Sequence, residues 1–111
     1  MTPLEDLYTV EILDHGDLNP TDDNVDVFVN FADGRKYVAT FFTIANIRTI
    51  MHRHRASGES AGGAYFWAAD AVIVETLDRE TIEKAVADLI ESGEFETAFD
   101  GPHQESPGEN E

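Results

Sequence analysis

The chain has no cysteine, which excludes disulfides, thiol chemistry and cysteine-bearing zinc sites. Lysine is almost as scarce, with only Lys36 and Lys84, and the basic side chains number 7 against 23 acids. Long apolar runs are missing as well. The longest stretch without a charge, Tyr37 to Ile47, has 11 residues, whereas a membrane-spanning helix needs about 20. The opening Met1-Thr2-Pro3-Leu4-Glu5-Asp6 lacks the basic-then-apolar order of a secretory leader. A net charge of -16 opposes binding to duplex nucleic acid and to anionic membrane surfaces. Together these absences lead to the expectation of a cytoplasmic protein whose partner is another protein.

Hydrophobic residues make up 41% of the 111, enough for one core and too many for a disordered chain. A single domain over residues 1–99 is expected, followed by a disordered acidic tail at 100–111, where Pro, Gly, Ser, Glu and Asn dominate. Within the domain, Leu7–Leu13 alternates, with Tyr8, Val10 and Ile12 on the apolar side. Val25–Phe31 alternates again, and Lys36–Phe42 returns after Asp33-Gly34, the strongest short hairpin signal because glycine accepts the positive φ of the turn. Thr43 is placed to cap a helix carrying Ile44, Ile47, Ile50 and Met51, with Gly58 as its stop. Ser57–Gly63 reads as a small-residue loop. Ala64–Glu75 reads as a strand covered on both faces, interrupted near Asp70 by a bulge or bend. Asp78 caps a second helix with the stripe Ile82, Val86, Leu89 and Ile90, and Phe95 and Phe99 suggest one more short turn on the core. The order β-β-β-α-β-α predicts an α+β fold: a four-stranded, largely antiparallel sheet with two helices on one face.

Charge is segregated along the chain. Residues 1–34 hold nine acids and no base, residues 35–55 hold five bases and no acid, and residues 56–111 hold fourteen acids and two bases. Either the basic block is neutralised internally by neighbouring acidic strands, or it leaves a bipolar surface that orients a partner. An acid-rich, lysine-poor exterior also suits a protein kept hydrated in high salt.

No stretch carries a recognisable catalytic motif. The loop Asp14–Asn24 is rich in oxygen ligands, yet it lacks the glycine and the closing glutamate of a calcium loop. His52 and His54, two apart on a helix, diverge too far to share a metal, so no metal or cofactor is expected. Ser57 and Ser60 lack a nucleophile elbow, and Gly58, Gly62 and Gly63 have the wrong spacing for a phosphate loop. Tyr65-Phe66-Trp67 is the one dense aromatic cluster. If it alternates, Phe66 faces opposite to Tyr65 and Trp67, so that one side is core and the other either anchors a partner or is covered by the helices and the tail segment. Asp70, inside an apolar run, calls for a counter-charge, with Arg48 or Arg35 the candidates.

The run from Gly58-Glu59 through Tyr65-Phe66-Trp67 to Asp70, with Thr43 before the first helix and Leu89-Ile90 ahead of Gly93-Glu94-Phe95, resembles a family of small bacterial proteins without assigned activity. It covers residues 25–99 and brings no catalytic residue with it. In size and charge the chain is also similar to the compact acidic immunity proteins that block a secreted toxin. The resulting expectation is a non-enzymatic, acidic, immunity- or inhibitor-type module that occupies a basic surface of a partner protein. Its contact residues would be Asp14, Asp17, Asp22, Asp23, Asp26, Asp33, Tyr65 and Trp67. The alternatives are a structural or oligomeric domain, such as a homodimer, with an acid-rich solubility surface, or a small hydrolase or ligand-binding protein using Glu59, His52 and Arg48 beside Trp67.

Overall fold

The computed structural model describes residues 7–104, so the opening hexapeptide and the tail from residue 105 lie outside the described residues. It is an α+β fold in the order β1 (Tyr8–Ile12), β2 (Asn24–Phe31), β3 (Arg35–Thr43), α1 (Ile44–Ser57), α2 (Glu59–Gly63), β4 (Ala71–Val74), α3 (Arg79–Ser92), α4 (Phe95–Ala98) and β5 (Asp100–Gln104). The first three strands form an antiparallel meander. The Asp33-Gly34 turn joins β2 to β3 as expected, with Gly34 at φ 100°. The far edge of β3 is divided. β4 runs parallel along Thr40–Thr43, and β5 runs antiparallel along Arg35–Val38 with a bulge between Lys36 and Val38.

The strand pattern of residues 25–42 places Val25, Val27 and Val29 opposite Phe41, Ala39 and Tyr37 on one face, and all six are buried. Helix α3 lays Ile82 and Val86 on this face, and α4 adds Phe95, which stacks on Phe99 with ring centroids 4.5 Å apart. Tyr37 meets Phe95 edge-on at 4.9 Å, and Phe41 meets Phe99 at 6.1 Å. Edge-on ring contacts of this kind add to the stabilisation that burial alone supplies. The apolar cluster takes no residue from 44–70. Of the two expected helices, only the second lies on the core.

Four local expectations change. A fifth strand exists where the tail was placed: residues 100–104 pair with β3, whose backbone groups at 35–38 would otherwise lack partners. Ala64–Glu75 is not one strand, since only Ala71–Val74 joins the sheet. That strand is not covered on both faces either, because Ile73 is 56% exposed. Asp70 does mark the bend, as a left-handed residue (φ 51°) whose carbonyl accepts from Thr40 N–H at 3.0 Å. Aspartate tolerates that conformation better than most side chains. Neither Arg48 nor Arg35 pairs with its carboxylate.

Both helix caps are as the sequence implies. Thr43, fully buried, accepts from Asn46 N–H at 3.0 Å and from Asp23 N–H at 3.3 Å. Replacing Thr43 with Ala should cost about 1–2 kcal/mol in urea unfolding, while Thr43→Ser should recover most of the loss. Asp78 accepts from Thr81 N–H at 3.0 Å and from the Thr76 hydroxyl. These bonds, the Thr76 one foremost, hold its carboxyl low, at about 2, against an ordinary 3.8. The folded protein therefore binds this proton more weakly than the unfolded chain does. The associated stabilisation is complete above about pH 4 and disappears as pH falls through about 2. Asp78→Asn, which still caps, should flatten stability against pH in that window relative to wild type, as read from urea midpoints at each pH.

Candidate protein-interaction surface

The core helices cover one face of the sheet and leave the other to different segments. On this second face Phe28 opposes Val38, Asp26 opposes Thr40, and Phe42 opposes Ile73. Asp26 accepts from the Thr40 hydroxyl at 2.8 Å, and the Lys36 ammonium sits 5.2 Å from the centre of the Phe28 ring. Phe42 is buried although it points away from the main core, because the Phe66 ring closes over it edge-on at 5.1 Å.

The segment that brings Phe66 there is built by an unusual turn. Gly58 (φ 89°) ends α1 by donating to the His54 carbonyl at 2.8 Å. In α2, Ser60, Ala61 and Gly62 are left-handed, at φ 51°, 54° and 71°, and Gly63 follows at 84°. Left-handed geometry costs an ordinary L-residue about 1–2 kcal/mol, so Ser60 and Ala61 hold it against their own preference. The reversal seats Gly63 against the backbone of α1, and residues 65–68 then lead toward β4 without regular secondary structure and without joining the sheet. The alternation expected of the aromatic trio survives without a strand. Phe66 points inward, while Tyr65 is 51% and Trp67 72% exposed.

Helix α1 completes this side. Its charges do not follow the internal-pairing reading. Arg35 is held: its Nε lies 2.9 Å from Asp33 Oδ2, its guanidinium lies over Phe31 at 4.8 Å, and it donates to the Tyr37 hydroxyl at 3.3 Å. Among the described residues, no carboxylate forms an ion pair with Arg48, Arg53 or Arg55. Arg48, Thr49, Met51, His52 and Arg55 line a shallow open depression of about 530 Å³. The sequence held the signal for this: α1 contains no acid, so none of its arginines has a partner one turn away.

The acids expected to form one binding face are dispersed, and most already have local work. Asp14 accepts from Gly16 N–H at 2.8 Å. Asp22 accepts from the Asn46 amide at 3.1 Å and the Thr49 hydroxyl at 3.0 Å, tying the β1–β2 loop to the start of α1. Asp23 accepts from Asn24 N–H at 2.9 Å and Asn19 N–H at 3.1 Å. Asp33 sits beyond the other end of the eight-residue β2, about 25 Å from Asp23 at ~3.3 Å per residue. Its carboxyl is held below the usual range, first by the Arg35 N–H and also by the Arg35 side chain. Asp17 makes no hydrogen bond or ion pair among the described residues, and Asp26 stands on the open sheet face.

The hydrolase arrangement does not assemble. His52 and Arg48 line the α1 depression, but Glu59 and Trp67 do not. Glu59 Oε1 instead takes the Ser57 hydroxyl at 3.0 Å and lies 3.3 Å from His54 Nε2. The carboxylate thus stands between hydroxyl and imidazole, whereas a triad needs the imidazole in the middle. Among the described residues no cluster of histidine and carboxylate side chains could hold a metal ion.

No protein-family model, no curated protein and no solved structure matches the chain.

The joint between α1 and the aromatic segment depends on Gly63. A Cβ there would collide with the Met51 carbonyl oxygen and lie 3.2 Å from the Arg55 nitrogen, on a backbone at φ 84°. Gly63→Ala should therefore destabilise by more than about 1 kcal/mol in urea. It should also weaken the near-ultraviolet circular dichroism of the aromatic segment, whereas Gly62→Ala, with open space around it, should cost less.

Proposed function

We propose that the protein is a non-enzymatic binding module that docks another protein through the surface formed by Tyr65, Trp67 and Ile73. The observation that carries this reading is the exposure of Trp67, at 72%, beside Phe66, whose ring is half-buried against Phe42. A large aromatic held by a packed residue beside it is presented in a fixed place. Its ordering cost is met on folding rather than on binding. Tyr and Trp are the side chains that most often dominate binding energy at protein interfaces.

The contact surface here is aromatic rather than a wall of aspartates, since the expected acids are spread between the β1–β2 loop and the far hairpin. The net charge of -16 acts at longer range. It disfavours nucleic acid, keeps the molecule dispersed and makes encounter rates sensitive to salt.

The test is a photoreactive phenylalanine analogue installed at Tyr65 and, separately, at Asp88 on α3, in cells that make the protein. A discrete adduct is expected from position 65 and not from position 88. Trp67→Ala should reduce its yield by about tenfold or more without moving the melting temperature. The reading fails if position 65 gives no adduct, or if both positions give the same one.

A further inference from the structure

Helix α1 carries a second recognition element. We propose that the stripe Arg48–His52–Arg55 binds an acidic, partly apolar peptide segment of the partner protein. This deepens the binding-module reading above and rests on it.

Arg48, His52 and Arg55 stand at i, i+4 and i+7, so they share one helical face. With Thr49 and Met51 the three line the shallow, open depression of about 530 Å³. Both arginines are exposed. The chain offers 23 acids to 7 bases, yet the fold brings no carboxylate into ion-pair contact with either guanidinium. The helix dipole accounts for a cation at Arg55, in the last turn, but not for Arg48 in the N-terminal half. The nearest acid with a described contact to the depression is Asp22, whose two carboxylate oxygens are occupied by Asn46 and by Thr49.

The chemistry of the floor selects the occupant. Guanidinium groups pair with carboxylates in a planar, two-bonded geometry. Their methylene stems and the Met51 thioether supply apolar contact between the charges. Alternating carboxylates and apolar side chains fit such a lining. At physiological salt, screening reaches about 8 Å, so the local cations of α1 count for more than the distant acids. A long polyanion would project past the stripe into the acidic remainder of the surface, whereas a short acidic segment would not. The same helix also packs against α2, which leads directly into Tyr65–Trp67, so one partner can engage both elements.

The experiment is fluorescence anisotropy with the intact protein and a labelled short peptide of alternating glutamate and leucine, at low salt (about 50 mM) and then at rising salt. Binding is expected, weakening as salt rises. Arg48→Glu with Arg55→Glu should lower the affinity by about tenfold or more. Arg48→Gln with Arg55→Gln should lower it less, and each double variant should melt with wild type. Arg79→Glu, which removes an arginine already paired with Glu83 at 2.7 Å, should leave binding unchanged. The proposal is overturned if the peptide does not bind at low salt, or if it binds the Arg48→Glu, Arg55→Glu protein equally well. Tighter binding of a short oligothymidylate assigns the stripe to phosphate chains and also overturns it. So does a wild-type dimer, seen by light scattering, that the double variant dissolves in the absence of peptide binding. Peptide binding that survives Tyr65→Ala with Trp67→Ala, alongside a failed crosslink at position 65, would keep the stripe and remove the aromatic anchor.

Discussion

The hydrogen-bonding capacity of β3 governs the rest of the structure. Buried backbone donors and acceptors must find partners, and β3 satisfies its own with three different strands. β2 takes one edge along its length. The other edge is shared by β4 at Thr40–Thr43 and β5 at Arg35–Val38. Because β5 occupies the hairpin end, β4 is held to four residues. The apolar chain ahead of β4 then finds the β3 edge already taken. It stays outside the sheet and folds back over Phe42 through Phe66 alone. The exposure of Tyr65 and Trp67 follows from that shared edge.

Charge in this molecule is unevenly employed. Many aspartates act as local acceptors for backbone N–H groups: Asp14 for Gly16, Asp23 for Asn24, Asp33 for Arg35, Asp78 for Thr81. Short polar side chains of this kind stabilise turns and helix starts by supplying acceptors where the backbone runs out of them. The high acid count is thus partly a consequence of many turns and caps. The arginines of α1 have no comparable employment within the fold, and the scarce charge, not the abundant one, marks the surface with unused capacity.

The sequence made the meander, both capped helices and the Phe95–Phe99 turn legible, because each rests on local periodicity and on cap or turn chemistry. It also made legible that Phe66 faces away from Tyr65 and Trp67, but not which of the two sides is covered, because that depends on Phe42 24 residues earlier. It concealed β5. Asp100-Gly101-Pro102-His103-Gln104 has little intrinsic strand preference and pairs only because β3 presents a vacant edge. Ala64–Ala68 is the reverse case: its aromatic content favours a strand, yet β4 and β5 already share the far edge of β3. For the site, residue type identified the aromatics. The fate of each aspartate depended on contacts such as Asp22 with Asn46 and Thr49, 24 and 27 residues away. Separations of that size leave no local trace.

The buried cluster draws nothing from residues 44–70. The described ties of helix α1 and the aromatic segment to the rest include the bonds of Thr43, Asn46 and Thr49 with the β1–β2 loop and the start of β2, and the Phe66 ring on Phe42. Regions of this kind open by partial unfolding at a lower free energy than the whole domain. Amide exchange would accordingly divide the described residues into two tiers, a slow sheet with α3 and a faster excursion over residues 44–70. Such a division would let the sequence between residues 44 and 70 change without disturbing the scaffold beneath it.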